Sequence, residues 1–426
     1  MNKSSEIPAP PDTNLQIYNT RKFKTITLCA LLRQPLKRET ATHMAMLPGV
    51  LERGSATYDT AARITSHMEQ MYGGVMNVQI IKKGEYQLLQ FYLEVLDRNR
   101  LFEEGLDFLR EIIQNPLVED GGFKAEYVER EKEALRNVIR GRVNNKAEYA
   151  KLRCLEEMCR NEPFGIYGDG YEEDLAEITP RSLYKFYRKI VDSPMQCIVI
   201  GNVSEPALGK LSGLLDRQGG CRSNASGIPD PAESVRPKHD SIRVTERMDT
   251  VQGKICIGLR PCSDVSLPPK VPAPPDYYKL LLMNEVLGGG GNSKLYLNAR
   301  EKKSLCYYIN SFVYRQKSIV MIQSGVDKEN FEKIEGAVAR ALEELQSGQI
   351  SHNELELAKA GLLKTFMAMR DYPASLINFI AMQSLAGSHD SLESAEAKIE
   401  ALSARDVREA AESLYIDTIF ILANRS

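Results

Sequence analysis

Apolar positions crowd residues 24–33, Lys-Thr-Ile-Thr-Leu-Cys-Ala-Leu-Leu-Arg, and this run predicts a first strand. A helix-like stretch follows near residues 58–72 and is closed by Gly73-Gly74. Residues 75–82 and 86–95 alternate in the period of two that marks strands, whereas 101–113, 124–142 and 147–160 carry helical patterns. Thr179-Pro180 is a good cap and first-turn pair for another helix, and the apolar residues 196–201 read as a strand.

Past that strand the pattern lapses. Residues 217–240 hold Gly219-Gly220, a serine-bearing stretch and several prolines, the composition of a linker. The pattern then returns as a strand at 252–258, a helix at 276–287, strands at 307–314 and 318–326, helices to about 414 and a closing strand at 418–422. Strand, helix, two strands, several helices, strand thus occurs twice. This predicts an α+β chain of two similar domains, residues 1–216 and 241–426, joined by 217–240. A length of 426 residues is ample for two cores.

The most informative stretch reads Leu-Gly-Gly-Gly-Gly-Asn-Ser-Lys-Leu-Tyr-Leu-Asn-Ala-Arg-Glu-Lys-Lys-Ser-Leu-Cys-Tyr-Tyr, from Leu287 to Tyr308. Four glycines permit a tight turn or a close approach, residues 294–301 suit a helix, and a strand pattern follows. Arg300 and Tyr307 therefore bracket a helix-to-strand turn. The segment closely resembles the second-domain signature of the pitrilysin or insulinase-like (M16) zinc metallopeptidases, which runs Leu-Gly-Gly-Gly, Ser, Arg or Lys, Leu and then Arg-Glu-Lys-Arg-Gly-Leu-Ala-Tyr. Here Ser304 stands for the last Gly and Cys306 for the Ala, while Arg300 and Tyr307 keep their spacing. The resemblance extends over about residues 17–423. It implies two domains, each an antiparallel sheet flanked by helices, facing each other across a cavity. It also implies a substrate-binding role for Arg300 and Tyr307, whose planar fork and phenolic hydroxyl suit a peptide terminus or main-chain carbonyl.

Catalytic members of that family carry His-x-x-Glu-His on a helix, two imidazoles one turn apart holding zinc and the Glu activating its water. The phrase that follows the motif fits Leu51-Glu52-Arg53-Gly54-Ser55, which places the first His at Ala45, the Glu at Pro48 and the second His at Gly49. The third ligand, a Glu on a later helix, falls on Val138. None of these can ligate a metal or take a proton, and Pro48 removes a helical donor besides. No register rescues the motif, because of five histidines (His43, His67, His239, His352 and His389) no two lie four apart. His43 is given no role, and Glu129, Glu131 and Glu133 read as a solvated helix face. No metal and no cofactor is expected.

Composition narrows the rest. Lys plus Arg at 55 nearly balance Asp plus Glu at 57, so a nucleic-acid partner is not indicated. No apolar run approaches the ~20 residues of a bilayer span, and the polar, proline-rich start lacks a signal-peptide stretch. The expectation is a cytoplasmic protein without membrane contact. Eight cysteines without Cys-x-x-Cys spacing read as free thiols, mostly buried. Gly288 to Gly291 follows a helical pattern and lacks the Gly-Lys-Ser/Thr ending of a P-loop, so it reads as a packing turn. Ser66, Ser351 and Ser388 each precede a His but cannot face it from the next position, and no nucleophile, base and orienter set emerges.

Within the family, keeping the Arg/Tyr pair while losing the zinc ligands is typical of one member of a two-subunit enzyme. Phrases at residues 51–55, 115–120, 157–165 and 167–169 are most similar to a bacterial group of such zinc-less members. The resemblance implies a non-catalytic, peptide-binding subunit that pairs with a zinc-bearing homologous chain, a homodimer being the other pairing it allows. The alternative is a structural or assembly scaffold of the same fold with no part in proteolysis.

Overall fold

The structure is a computed structural model and describes residues 6–7, 15–216, 236–237, 240–263 and 276–425. Nearly all of the expected linker at 217–240 lies outside the described residues, as does Cys221.

The first half begins with β1 (Glu6–Ile7), β2 (Leu15–Asn19) and β3 (Thr25–Pro35), then α1 (Ala41–Leu51), α2 (Ala61–Gln70) and the hairpin β4 (Val75–Lys83) and β5 (Tyr86–Leu96). It continues with α3 (Asn99–Gln114), a small ribbon of β6 (Val118–Glu119) and β7 (Gly122–Phe123), α4 (Ala125–Gly141), α5 (Lys146–Met158), α6 (Pro180–Val191), β8 (Met195–Gly201) and α7 (Glu205–Asp216). The second half holds β9 (Arg236–Pro237), β10 (Ile242–Met248), β11 (Gly253–Ser263), α8 (Tyr277–Asn284), β12 (Tyr308–Tyr314) and β13 (Ile319–Val326). Five helices follow, α9 (Phe331–Gln346), α10 (His352–Met369), α11 (Pro373–Leu385), α12 (Leu392–Ala401) and α13 (Ala404–Glu412), and β14 (Leu414–Asn424) closes the chain.

The duplication is explicit in the sheets. One runs β1-β2-β8-β3-β5-β4 and the other β10-β14-β11-β13-β12, with β9 on β11. In each, an early strand pairs in parallel with the half's last strand, β2 with β8 and β10 with β14, and the remaining long pairs are antiparallel. The long pairs are thus antiparallel as the resemblance implied, apart from one long parallel pair in each sheet. Parallel neighbours need a long crossover, and each half supplies it as everything between its first and last strands. The sequence pattern predicts neither β2 nor β10. In Ile-Arg-Val-Thr-Glu-Arg-Met the charged residues of β10 are those of an edge strand, and from Arg243 onward exposed and half-buried positions alternate.

The contacts divide the chain into two compact units that are not contiguous blocks. Residues 1–140, 166–227 and 372–382 form the first, and 141–165, 228–371 and 383–426 the second. The segment that carries α5, assigned by sequence to the first half, thus counts with the second unit. The reason is apolar: Ala150, Cys154, Leu155, Met158, Cys159 and Phe164 pack on Cys256, Ile319, Met321, Phe420 and Leu422. Gly258 admits this helix, since a Cβ there would sit 2.5 Å from Met158 Sδ. A buried ionic knot adds to it, with Arg260 on Glu162 at 2.9 Å and Asp417 at 3.3 Å, and Lys317 on Glu162 at 3.0 Å.

In the first unit, Ile26, Leu28, Ala30 and Leu32 of β3 and Leu89, Phe91, Leu93 and Val95 of β5 form the sheet's core face. Against them lie Met44 and Leu47 of α1, Phe102, Leu106 and Leu109 of α3, and Leu183 and Tyr187 of α6. The buried Tyr187 hydroxyl donates to the Ile113 carbonyl at 2.7 Å, which removes its desolvation cost. The seven described cysteines are free, and burial pushes the thiol of Cys159 up to about 11 and that of Cys29 to about 12.

Candidate functional site

In the first unit the degenerate motif lies on α1. Pro48 is inside this helix, which nonetheless continues to Leu51, with Glu52 N donating to Pro48 O at 3.0 Å. The objection drawn from proline therefore reduces to one missing N–H. The phrase that fixes the register has its own structural work. Ser55 is fully buried and donates to Glu111 at 3.0 Å, and a Cβ on Gly54 would lie 2.9 Å from the Asp59 backbone.

The residues present do not fit a zinc ion. Ala45 packs against the core as an apolar side chain, and Val138 is 56% exposed on α4. At Gly49 the space is taken: a Cβ there would come within 1.9 Å of Glu131 Cδ and 2.0 Å of its Oε2. Among the described residues, no group of three or more His, Cys, Asp and Glu converges as a metal cluster.

Glu131 corrects the expectation of a uniformly solvated acidic face. Glu129 and Glu133 do pair with Lys132 and Arg136 at the surface. Glu131 instead turns inward, its side chain 15% exposed, with Arg53 at 3.7 Å. Burial raises its pKa, the Arg53 guanidinium opposes that rise, and the Glu52 carboxylate adds to it. Glu52 accepts from Val78 N at 2.7 Å and is itself raised by burial. His43 packs against Phe186, the rings tilted by 58° with centroids 5.3 Å apart, and burial lowers its pKa against the pull of Asp174.

In the second unit the signature segment is built from widened helical turns. The side chain of Asp276 caps α8 by accepting from Tyr278 N and Lys279 N. At Glu285 the helix opens into a π-helical turn, Glu285–Gly289, and a second one spans Tyr296–Glu301. Such turns recur at functional sites, and the sequence pattern shows only helix here. Between them Lys294, nearly buried, reaches Glu344 at 3.1 Å and Glu354 at 2.9 Å, which pins the segment to α9 and α10. Ser304, at the family's Gly position, has φ of +50°, the left-handed region that Gly occupies without strain.

Arg300 sits in the second π turn, half-buried. It donates to the Tyr296 hydroxyl at 2.8 Å and lies over that ring at 4.8 Å. Among the described residues it has no carboxylate partner. Tyr307, immediately before β12, is 62% exposed, and its N–H donates to Gly325 O at 3.0 Å. The expected bracket around a helix-to-strand turn is therefore present. Tyr296 is a contact of Arg300 that sequence reasoning missed; its position four residues before Arg300 on a helix was the available signal.

The model of the Peptidase M16 inactive domain matches residues 177–362. A probable inactive metalloprotease of Bacillus subtilis (strain 168), YmfF, is 30% identical over 95% of this chain and 94% of its own length. The uncharacterized zinc protease YmxG of the same organism is 22% identical over 86% of this chain and 83% of its own length. Among solved structures, a conserved protein from Enterococcus faecalis V583 superposes with a TM-score of 0.84 at 24% identity, covering 100% of this chain and 99% of that one. Fold, degenerate motif and relatives together define a metallopeptidase-like protein without the catalytic set. The chain belongs to the M16 peptidase family, as a non-catalytic homologue.

Proposed function

We propose that this chain is the peptide-binding, non-catalytic subunit of a two-chain M16-type peptidase, its partner being a zinc-bearing homologue, and that it acts in the cytoplasm. Among the described residues no helix is long and apolar enough to cross a membrane. The observation that carries the reading is Arg300: half-buried, held by Tyr296, seven positions before the exposed Tyr307, and without a carboxylate partner among the described residues. A guanidinium so placed keeps donors for a peptide carboxylate or main-chain oxygen, and a tyrosine edge beside it supplies a hydroxyl and an apolar face. Two relatives in one organism, one named a probable inactive metalloprotease and one a zinc protease, support the division of labour.

The test is to mix the purified chain with a zinc-bearing homologue from its own genome, measure association by ultracentrifugation, and follow cleavage of a peptide panel with and without it. Stimulated cleavage that is lost with Arg300→Lys supports the proposal. Association without any effect on cleavage would favour the scaffold reading, and a self-associating chain that ignores the homologue would favour the homodimer.

A further inference from the structure

The turn between β10 and β11 and the start of α5 border an open hollow of about 830 Å³, lined by residues 144–147, 249–252 and Lys254, all within the second unit. We infer that this hollow binds a small multivalent oxyanion, a phosphate or carboxylate compound, through the ammonium groups of Lys146 and Lys254. Lys254 is half-buried, burial lowers its pKa, and its Nζ donates only to the neutral Gln252 Oε1, with the Tyr308 ring 5.5 Å away. Lys146, also half-buried, reaches only Met248 Sδ at 3.9 Å, a weak acceptor. Among the described residues neither has a carboxylate partner, whereas the buried Lys294 and Lys317 of the same unit are each paired with a glutamate. The one carboxylate in the lining, Asp249, is 87% exposed and faces Arg425 at 3.9 Å. Glu148 and Glu246, the acids nearest to the lining in sequence, are held by Lys151 and Arg153.

The uncharged groups of the wall are as one-sided as its charges, because its acceptors are already in use. Asn145 Oδ1 accepts from Glu148 N at 3.1 Å, Ala147 O from Gln323, Gln252 Oε1 from Lys254, and Gln252 O from the Thr250 hydroxyl. Asn145 and Gln252 are each left with an amide NH2 to donate, so the wall offers donors and positive charge. A half-buried ammonium without a counter-ion is costly, and a bound oxyanion removes that cost. Strand register sets Lys254 opposite Gly325 and Gly325 opposite Tyr308, so the hollow lies at the end of the sheet where Tyr307 enters β12. The oxyanion therefore has two sources: a free phosphate compound, or an acidic side chain of a peptide held at Tyr307, the second resting on the function proposed above.

Calorimetric titration of the full chain with pyrophosphate and, separately, with a tetra-aspartate peptide tests the site and tells the sources apart. Affinity for the ligand that binds should fall about tenfold or more in Lys146→Met and in Lys254→Met, persist in Lys254→Arg, and weaken as potassium chloride is added. Without ligand, Lys254→Met removes a desolvated charge that has no carboxylate, so Tm should hold or rise and lost binding is not lost folding. Tighter binding of the peptide than of pyrophosphate assigns the site to substrate, and the reverse order assigns it to a free oxyanion. Pyrophosphate binding that depends on Lys254 stands whether or not Arg300→Lys affects peptide cleavage, so the two proposals fail separately. No binding of either probe at millimolar concentration, binding that survives the combined Lys146→Met and Lys254→Met substitutions, or a fall in Tm with affinity unchanged in Lys254→Met would overturn the inference.

Discussion

The helix pairs α1/α4 and α8/α10 occupy matching places in the two units, one before each sheet's hairpin and one as the second helix after it, and they solve the same packing problem from opposite sides. In the first unit the glycine is on α1 and the carboxylate on α4; in the second the carboxylate, Glu285, leaves α8 and the glycine, Gly361, is on α10. Burial raises the pKa of both carboxyl groups. Glu131 has Arg53 to answer it, whereas no ion pair or side-chain hydrogen bond reaches Glu285 among the described residues. The outcomes diverge accordingly. The first unit's helix remains α-helical to Leu51, while the second unit's helix widens at Glu285 and leads to a segment that holds Arg300 without a carboxylate partner among the described residues. Duplication of topology has therefore left two different environments at matching places.

The contrast breaks most severely at Lys294. Its buried ammonium joins the signature segment to Glu344 and Glu354, so Lys294→Met removes two charge-assisted contacts and should cost ~2–3 kcal/mol in denaturant unfolding, with loss of peptide binding as a consequence. Arg300→Lys keeps the charge but loses the bidentate fork and the Tyr296 contact. Peptide affinity should fall by ~1.5–3 kcal/mol, roughly ten- to hundredfold by calorimetry, with Tm unchanged. Tyr307→Phe removes a hydroxyl from an exposed ring, and a binding loss of ~0.5–1.5 kcal/mol with no change in folding is expected. Equal affinities for these two variants and the parent chain would make the pair structural and remove the contrast.

Ser304→Gly sharpens the comparison from the backbone side. Relief of the left-handed serine should stabilise the chain by ~0.5–1 kcal/mol, read as a rise in the urea midpoint. The smallest effect is expected from Glu285→Gln, and it depends on pH. A carboxyl group whose folded pKa lies above its unfolded one binds more protons in the native state, so native stability falls as pH rises from the unfolded value through the folded one. The glutamine variant should therefore melt above the parent chain at pH 7 and together with it at pH 4. A constant difference between the two pH values would assign the effect to packing instead of charge.

Much of this was legible in the sequence, for physical reasons that also explain what was not. The strands of the two hairpins announce themselves because each alternates or buries a continuous apolar row, and the missing zinc donors at Ala45, Gly49 and Val138 are chemical facts about side chains. The edge strand β10 was invisible because exposed edges carry charge, and the π turns because one extra residue per turn hardly disturbs a helical pattern. The role of Glu131 was hidden for a different reason. Glu129 and Glu133 beside it are solvated, and the space it turns into is left by the absence of a side chain on Gly49, 82 positions earlier.

The docking of α5 on the second sheet has a consequence for how the polypeptide can be divided. A cut within residues 217–240 looks like the natural place to separate two halves, yet a fragment of residues 241–426 would carry a sheet whose Cys256, Met321, Phe420 and Leu422 face had lost its cover. The complementary fragment would carry Cys154, Met158 and Phe164 with nothing to bury them, and Glu162 without Arg260 or Lys317. Each piece exposes what the other conceals. Co-expressed fragments should find one another and reassemble, and each expressed alone should aggregate, because contacts such as that of Cys154 with Thr418, 264 positions apart, leave the second core unfinished until both ends of the chain are present.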